Sequence, residues 1–262
     1  MSDLVVLTAI DGPVATVTLN RPAAHNALDG RLVADLTGAL RMLADTAAVR
    51  AVVLRANGES FSAGADIARM QRLAETPEAE ALAEARALTG LLDTLDTLPK
   101  PTVALVHGAA FGGGVGLVAC CDIAVAADSA AFSLSGVKLG LVPAVTAPYV
   151  VAAIGARAAR RYLLTGERIS ALEAQRLGLV HEVVPGYMLQ AAGDAVLARL
   201  AEGGPEAQAG AKALIRTLSG RPPGPPDEAT LRRIAAARTT AEAREGLAAF
   251  LEKRRPRWRG GQ

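Results

Sequence analysis

The chain has 262 residues, 51% of them apolar, and its 28 basic and 26 acidic side chains leave a net charge of +2. That length suits one large domain with a small appendage, at about 150 residues per domain, and the near-neutral balance supports neither nucleic-acid binding nor an acidic partner. Two uncharged windows, 101–121 and 139–156, are long enough to raise a transmembrane helix. Five glycines interrupt the first and Pro143 and Pro148 the second, so a buried core is expected and no membrane partner.

The first ten residues carry Asp3 and no basic segment ahead of their short apolar run, which argues against a secretory signal and gives the expectation of a cytoplasmic protein. Val14 to Leu19 alternates as a half-buried strand should, and Pro22 stops it. Asp29 can cap a helix whose apolar residues Leu32, Val33, Leu36, Leu40 and Leu43 recur at helical spacing. Ala51 to Leu54 fits a buried strand. A second helix is expected from Pro77 to about Leu98, then a strand Thr102–Val106, a glycine-opened helix from Gly112 and a strand Ile123–Ala127. Strands alternating with helices imply an α/β architecture with ligand-holding loops where strand ends meet helix starts. Ser170 to Glu173 has the form of a capping box, and a strand is expected over Val180–Val184. Beyond about Tyr187 only helices are expected, broken by the proline-rich 221–226, with Leu247, Phe250 and Leu251 as an apolar stripe on the last.

Adjacent Cys120 and Cys121 suit neither a mutual disulfide nor metal spacing, so they are expected to be packed thiols and no metal site is expected. Ala109 to Gly116 follows a strand and opens a helix, where backbone N–H groups can bind negative charge. Gly114-x-Gly116-x-x-Ala119 matches the loose dinucleotide fingerprint, but no acidic residue lies between Ser129 and Gly166 to hold a ribose. The other ligand such a turn can hold is an oxyanion on a carbonyl. A second loop, Phe61-Ser-Ala-Gly-Ala-Asp-Ile67, also follows a strand. If its Ala65 N–H and the Gly113 N–H converge on one oxygen, they would stabilise a thioester enolate; two ordinary turns are the alternative. Neither Ser60 nor Ser62 sits in a nucleophile elbow.

The blocks Asn20-Arg-Pro-Ala-Ala-His-Asn-Ala-Leu28, Phe61 to Asp66, Phe111-Gly-Gly-Gly114, Leu139-Gly-Leu-Val-Pro143, Thr165-Gly-Glu-Arg-Ile169 and Phe250-Leu-Glu-Lys253 together resemble the enoyl-CoA hydratase/isomerase (crotonase) family. The resemblance spans nearly the whole chain, in order. It implies a spiral of β-β-α units over 1–186 and a helical trimerisation region over 187–262, in a homotrimer or homohexamer. It further implies an acyl-CoA substrate, with coenzyme A part of that substrate and no separate cofactor. By position, Ala65 and Gly113 are implied as the oxyanion-hole donors. Ala24, Ala63, Ala65, Asp66 and Ile67 are implied along the CoA path, and Phe250 and Lys253 on the last helix are implied to reach the CoA of a neighbouring subunit. His25, His107 and His181 match no catalytic position.

The family's hydratases use two glutamates, whose positions here are Gly116 and Gly136. Neither glycine can transfer a proton, and a positioned acid or base contributes roughly 10²- to 10⁴-fold. Gly112 to Asp122, Phe132 to Pro143 and Tyr149-Val-Val resemble the branch acting on branched, carboxylated enoyl-CoAs such as methylglutaconyl-CoA or isohexenylglutaconyl-CoA. There the first glutamate position can be glycine, whereas the second usually retains glutamate. Ser133, Ser135, Thr146, Tyr149 and Glu167 are the polar residues near these positions in sequence. An enoyl-CoA hydratase-like lyase is therefore expected. Isomerisation, decarboxylation or thioester hydrolysis on the same oxyanion hole, and a non-catalytic acyl-CoA-binding protein, are the alternatives.

Overall fold

The computed structural model describes residues 4–66, 77–219 and 227–259. The expected break over 221–226 and the candidate CoA contact Ile67 lie outside the described residues.

The chain opens with a hairpin: β1 (Val6–Asp11) pairs antiparallel with β2 (Val14–Leu19) through a turn at Gly12, φ +53°. Asp29 then accepts a hydrogen bond from the Leu32 N–H at 2.8 Å and caps α1 (Gly30–Asp45), whose five expected apolar residues are all buried. From there the strands run parallel in one sheet: β3 (Ala51–Ala56), β4 (Thr102–Val106) and β6 (Ile123–Ala127). Their near-continuous apolar sequences follow from burial on both faces. A last parallel strand, β9 (Glu182–Val184), completes the order β1-β2-β3-β4-β6-β9. It is shorter than the Val180–Val184 expected, because the His181 side chain already accepts the Ala124 N–H at 3.1 Å.

Between these strands lie short ones belonging to a second sheet: β5 (Ala109–Phe111), β7 (Ala131–Ser133) and β8 (Arg168–Ser170), in the order β5-β7-β8. β4 and β6 in the large sheet are each followed by one strand of the small sheet, and a helix comes next. α3 (Gly113–Cys120) follows β5; α4 (Ala147–Thr165) follows β7. This is the expected spiral. It divides the first uncharged window among β4, β5 and α3 and the second between a turn and the start of α4, and no helix among the described residues is long and apolar enough to cross a membrane. α2 (Glu78–Asp96) packs on α1 and α3 across the main core.

α5 (Ala171–Leu177) is capped by the Ser170 hydroxyl accepting the Glu173 N–H at 3.2 Å. The capping box is only half made, since Glu173 turns instead to the Tyr162 hydroxyl at 2.8 Å and to Arg176 at 2.6 Å. These partners hold the Glu173 carboxyl at about 2, Arg176 being the larger influence. A carboxyl depressed in the folded state adds stability that is complete above its unfolded value of 4.5 and declines as pH falls toward 2. Thermal scans of the native protein and Glu173→Gln should therefore differ at neutral pH and converge near pH 2.

The remaining described helices are α6 (Leu189–Leu200), α7 (Pro205–Leu218), α8 (Glu228–Ala237) and α9 (Ala241–Leu251). α6 covers the outer face of the large sheet, Leu189, Val196 and Leu197 meeting Val53, Val103, Leu105 and Val125. α7 is tied down by Lys212, whose ammonium donates at 2.7 Å to Asp122, a carboxylate that also accepts the Thr102 N–H and hydroxyl at 2.8 Å. Arg50, its basicity lowered by burial, donates to the Gly203 carbonyl at 2.5 Å and to that of Trp258. The expected stripe on the last helix does not enter this chain's core: Phe250 is 81% exposed, Leu247 61% and Leu251 77%, while Ala249 is buried.

Candidate active site

Three loops meet around Gly64. The first is Arg21 to Leu28, in which His25 and Asn26 both adopt positive φ, +48° and +53°. Asn26 is fully buried. Its amide donates to the carbonyls of Asn57 at 2.9 Å and Ser60 at 2.8 Å, and its side-chain oxygen accepts the Arg21 N–H at 2.8 Å. The second loop, Phe61 to Asp66, hangs from this anchor. The Ser62 hydroxyl donates to the Asn26 carbonyl at 2.8 Å and accepts the Gly64 N–H at 3.2 Å, the Ala63 N–H donates to His25, and the Leu28 N–H donates to Gly64. The half-buried Arg21 guanidinium lies 3.1 Å from Asp29 and 3.8 Å from Asp66. Ala24, Ala63, Ala65 and Asp66 are thereby brought together.

The third loop is the turn between β5 and α3. Ser62 pairs with β5, accepting the Phe111 N–H and donating to the Ala109 carbonyl. Gly112 turns at φ +48°, ψ −112°, a conformation open to glycine, and donates to Ser133 at 2.8 Å. The loops touch at Gly64, φ +82°: a methyl added there would stand 2.5 Å from the Phe111 carbonyl oxygen and 3.3 Å from the Gly112 Cα. Gly113 is equally close-packed, since a methyl on it would meet Leu28 Cδ1 at 2.5 Å. Among the described residues, neither the Ala65 N–H nor the Gly113 N–H finds a hydrogen-bond acceptor. Two free backbone donors thus flank the contact between these loops.

Sequence reasoning weighed Ser62 only as a nucleophile and gave Asn26 no anchoring role, although asparagine is enriched at left-handed positions. Asn26→Ala strips three backbone groups of their partner, the Ser60 carbonyl buried and the other two half-buried, and places alanine at positive φ. We expect a loss of about 2 to 4 kcal/mol, seen as a lower urea midpoint at unchanged slope.

Gly116 lies on α3 and Gly136 in a 3-10 turn over Ser135–Leu139. Both face the loop 140–146, Gly116 against Thr146 and Gly136 against Leu141. The polar residues nearby are mostly engaged. Ser133 donates to Gly166 at 3.2 Å. Glu167 is held by Arg161 at 2.6 Å, which lowers its carboxyl pKa and unfits it as a general acid. Burial pushes the Tyr149 phenol up to about 12, so it stays protonated at neutral pH. Burial likewise raises both free thiols, Cys121 to about 12. Among the described residues no His, Cys, Asp and Glu side chains cluster as metal ligands. His25 and His107 bond Ser60 at 3.1 Å and Gly58 at 2.8 Å, in the loop framework.

Phe250 is an exposed residue of α9. Gly204, in the α6–α7 turn, packs against Glu242 of α9, and Gly246, on α9 itself, packs against Trp258, so the helix sits over the tail and the α6–α7 turn of its own chain. Lys253 is not on the helix as expected but just past its end, at φ +53°.

A two-sheet spiral with a helical C-terminal region, carrying paired glycine-rich turns at its centre, is the crotonase fold of acyl-CoA enzymes. A solved enoyl-CoA hydratase from Shewanella pealeana superposes with a TM-score of 0.92 at 41% identity, covering 97% of this chain and 96% of that one. Pseudomonas aeruginosa AtuE superposes with a TM-score of 0.90 at 38% identity, covering 98% of this chain and all of that one. The 2,3-dehydroadipyl-CoA hydratase of Escherichia coli K12 is 34% identical over 268 residues, covering 99% of this chain and 100% of that one. The model of the enoyl-CoA hydratase/isomerase family matches residues 9–261. The chain belongs to that family.

Proposed function

We propose that the protein is an enoyl-CoA hydratase-like lyase that binds the thioester carbonyl of an enoyl-CoA between the N–H groups of Ala65 and Gly113 and stabilises the enolate that forms there. The observation that carries this reading is the pair of free backbone donors, held on two loops that touch at Gly64. Preorganised donors of this kind are worth about 3 to 4 kcal/mol each to a developing oxyanion, because no reorganisation is needed as charge appears. Ala24, Ala63, Asp66 and Ile67 border the CoA path, and Phe250 and Lys253 serve the site of a neighbouring subunit in a homotrimer or homohexamer. An exposed Phe250 fits that placement. The chain is divided into the spiral core 1–186 and the helical region 187–262.

Water addition here proceeds without glutamates at 116 and 136, so the proton lost by the attacking water passes to solvent or to a carboxylate on the substrate, and the α-carbon of the enolate takes a proton back from the same source. That favours branched, carboxylated enoyl-CoAs, which bring their own acid–base group, over crotonyl-CoA. Calorimetric titration with CoA thioesters, followed by mass analysis of products, tests the reading. Hydrated product, a mass gain of one water, supports it. A shifted double bond, lost carbon dioxide or free acid would assign another reaction, and tight binding with no product would make the protein a binder.

A further inference from the structure

The two glycines at 116 and 136 are not equivalent. A methyl added to Gly136 would meet only Leu141 Cβ, at 3.7 Å, in ordinary contact. One added to Gly116 would stand 2.7 Å from Thr146 Cγ2 and 3.2 Å from Leu92 Cδ1, both on buried residues. The space that a side chain at 116 would need is therefore already filled, chiefly by the Thr146 methyl. Thr146 occupies the N-cap position of α4 yet makes no capping bond, and its hydroxyl donates only to Pro143 at 3.3 Å, a long contact. Its position is thus not explained by the usual helix-capping role of threonine.

We propose that Thr146 is a specificity-determining residue, paired with Gly116, whose Cγ2 methyl sets the limit of the acyl pocket at the position of the first missing glutamate. The proposal rests on the acyl-CoA reading of the site given above. It follows that the shape of Thr146, rather than its hydroxyl, governs which acyl groups are accepted, and that 116 and 146 must change together.

The test compares the native protein with Thr146→Ser, Thr146→Val, Gly116→Ala and the double variant Gly116→Ala/Thr146→Ser, measuring kcat/KM over enoyl-CoA thioesters of increasing length and branching. A single methyl in an apolar pocket discriminates by about ten-fold or more. Thr146→Ser should therefore shift the preference toward the bulkier thioesters by about that factor, while Thr146→Val keeps the native ranking. Gly116→Ala should lower the melting temperature, and adding Thr146→Ser should restore most of the loss, a coupling expected only of residues in contact. Binding and turnover with a ranking unchanged by Thr146→Ser, or changed equally by both Thr146 variants, would overturn this proposal alone. Additive effects of the 116 and 146 changes on melting temperature would also overturn it. Failure of the native protein to bind any CoA thioester would overturn the acyl-CoA reading and this proposal with it.

Discussion

Gly64→Ala should lower kcat/KM for the preferred enoyl-CoA by about 100-fold or more while leaving the fold intact. Alanine at φ +82° is strained by about 1 to 2 kcal/mol, a loss a protein of this size survives. The larger effect is local. The new methyl would stand 2.5 Å from the Phe111 carbonyl oxygen, so the Phe61–Asp66 loop must withdraw from the turn that carries Gly113. Loss of one oxyanion donor costs roughly 10²- to 10³-fold in kcat, and displacing Ala65 relative to Gly113 amounts to such a loss. Gly12→Ala is the control. It imposes similar strain at φ +53°, with nothing within 4 Å of the added methyl, in a hairpin remote from the turn. It should reduce stability and leave kcat/KM unchanged. Equal loss of activity in both variants would mean that backbone strain, rather than separation of the donors, governs the rate.

Gly136→Glu should raise the hydration of crotonyl-CoA by at least about ten-fold, within the roughly 10²- to 10⁴-fold that a well-placed acid–base group contributes. The half-buried position accepts a side chain, because the first new atom meets Leu141 at 3.7 Å. The same change at 116 should give no gain and a lower melting temperature, because its first carbon would strike Thr146. A gain from Gly116→Glu equal to that from Gly136→Glu would show that Thr146 yields readily and that the pocket is not closed at that point.

Much of this was legible in the sequence because it rests on local rules. β4 and β6 match their expected spans residue for residue, since a short uncharged run between turn signals has few other uses in an α/β chain. The cap at Asp29 and the two glycine-rich loops were readable for the same reason. β1 was missed although Asp11-Gly12 marks a hairpin, because Val6 to Asp11 carries too little apolar alternation to read as a strand. β5, β7 and β8 were missed because three-residue strands exist only through their partners in the small sheet. The pairing of Gly116 with Thr146 lies 30 positions apart in sequence and becomes visible only as a distance. The stripe of Leu247, Phe250 and Leu251 was read correctly as apolar, but its periodicity carries no information about which chain it faces.

The most direct measurement is the loss of the conjugated enoyl thioester absorbance when the native protein and Gly136→Glu are each given crotonyl-CoA and methylglutaconyl-CoA. An oxyanion hole working without either glutamate should give slow turnover of crotonyl-CoA by the native protein and faster turnover of the carboxylated thioester, with Gly136→Glu improving the first. Crotonyl-CoA hydrated by the native protein as fast as by Gly136→Glu would contradict this mechanism.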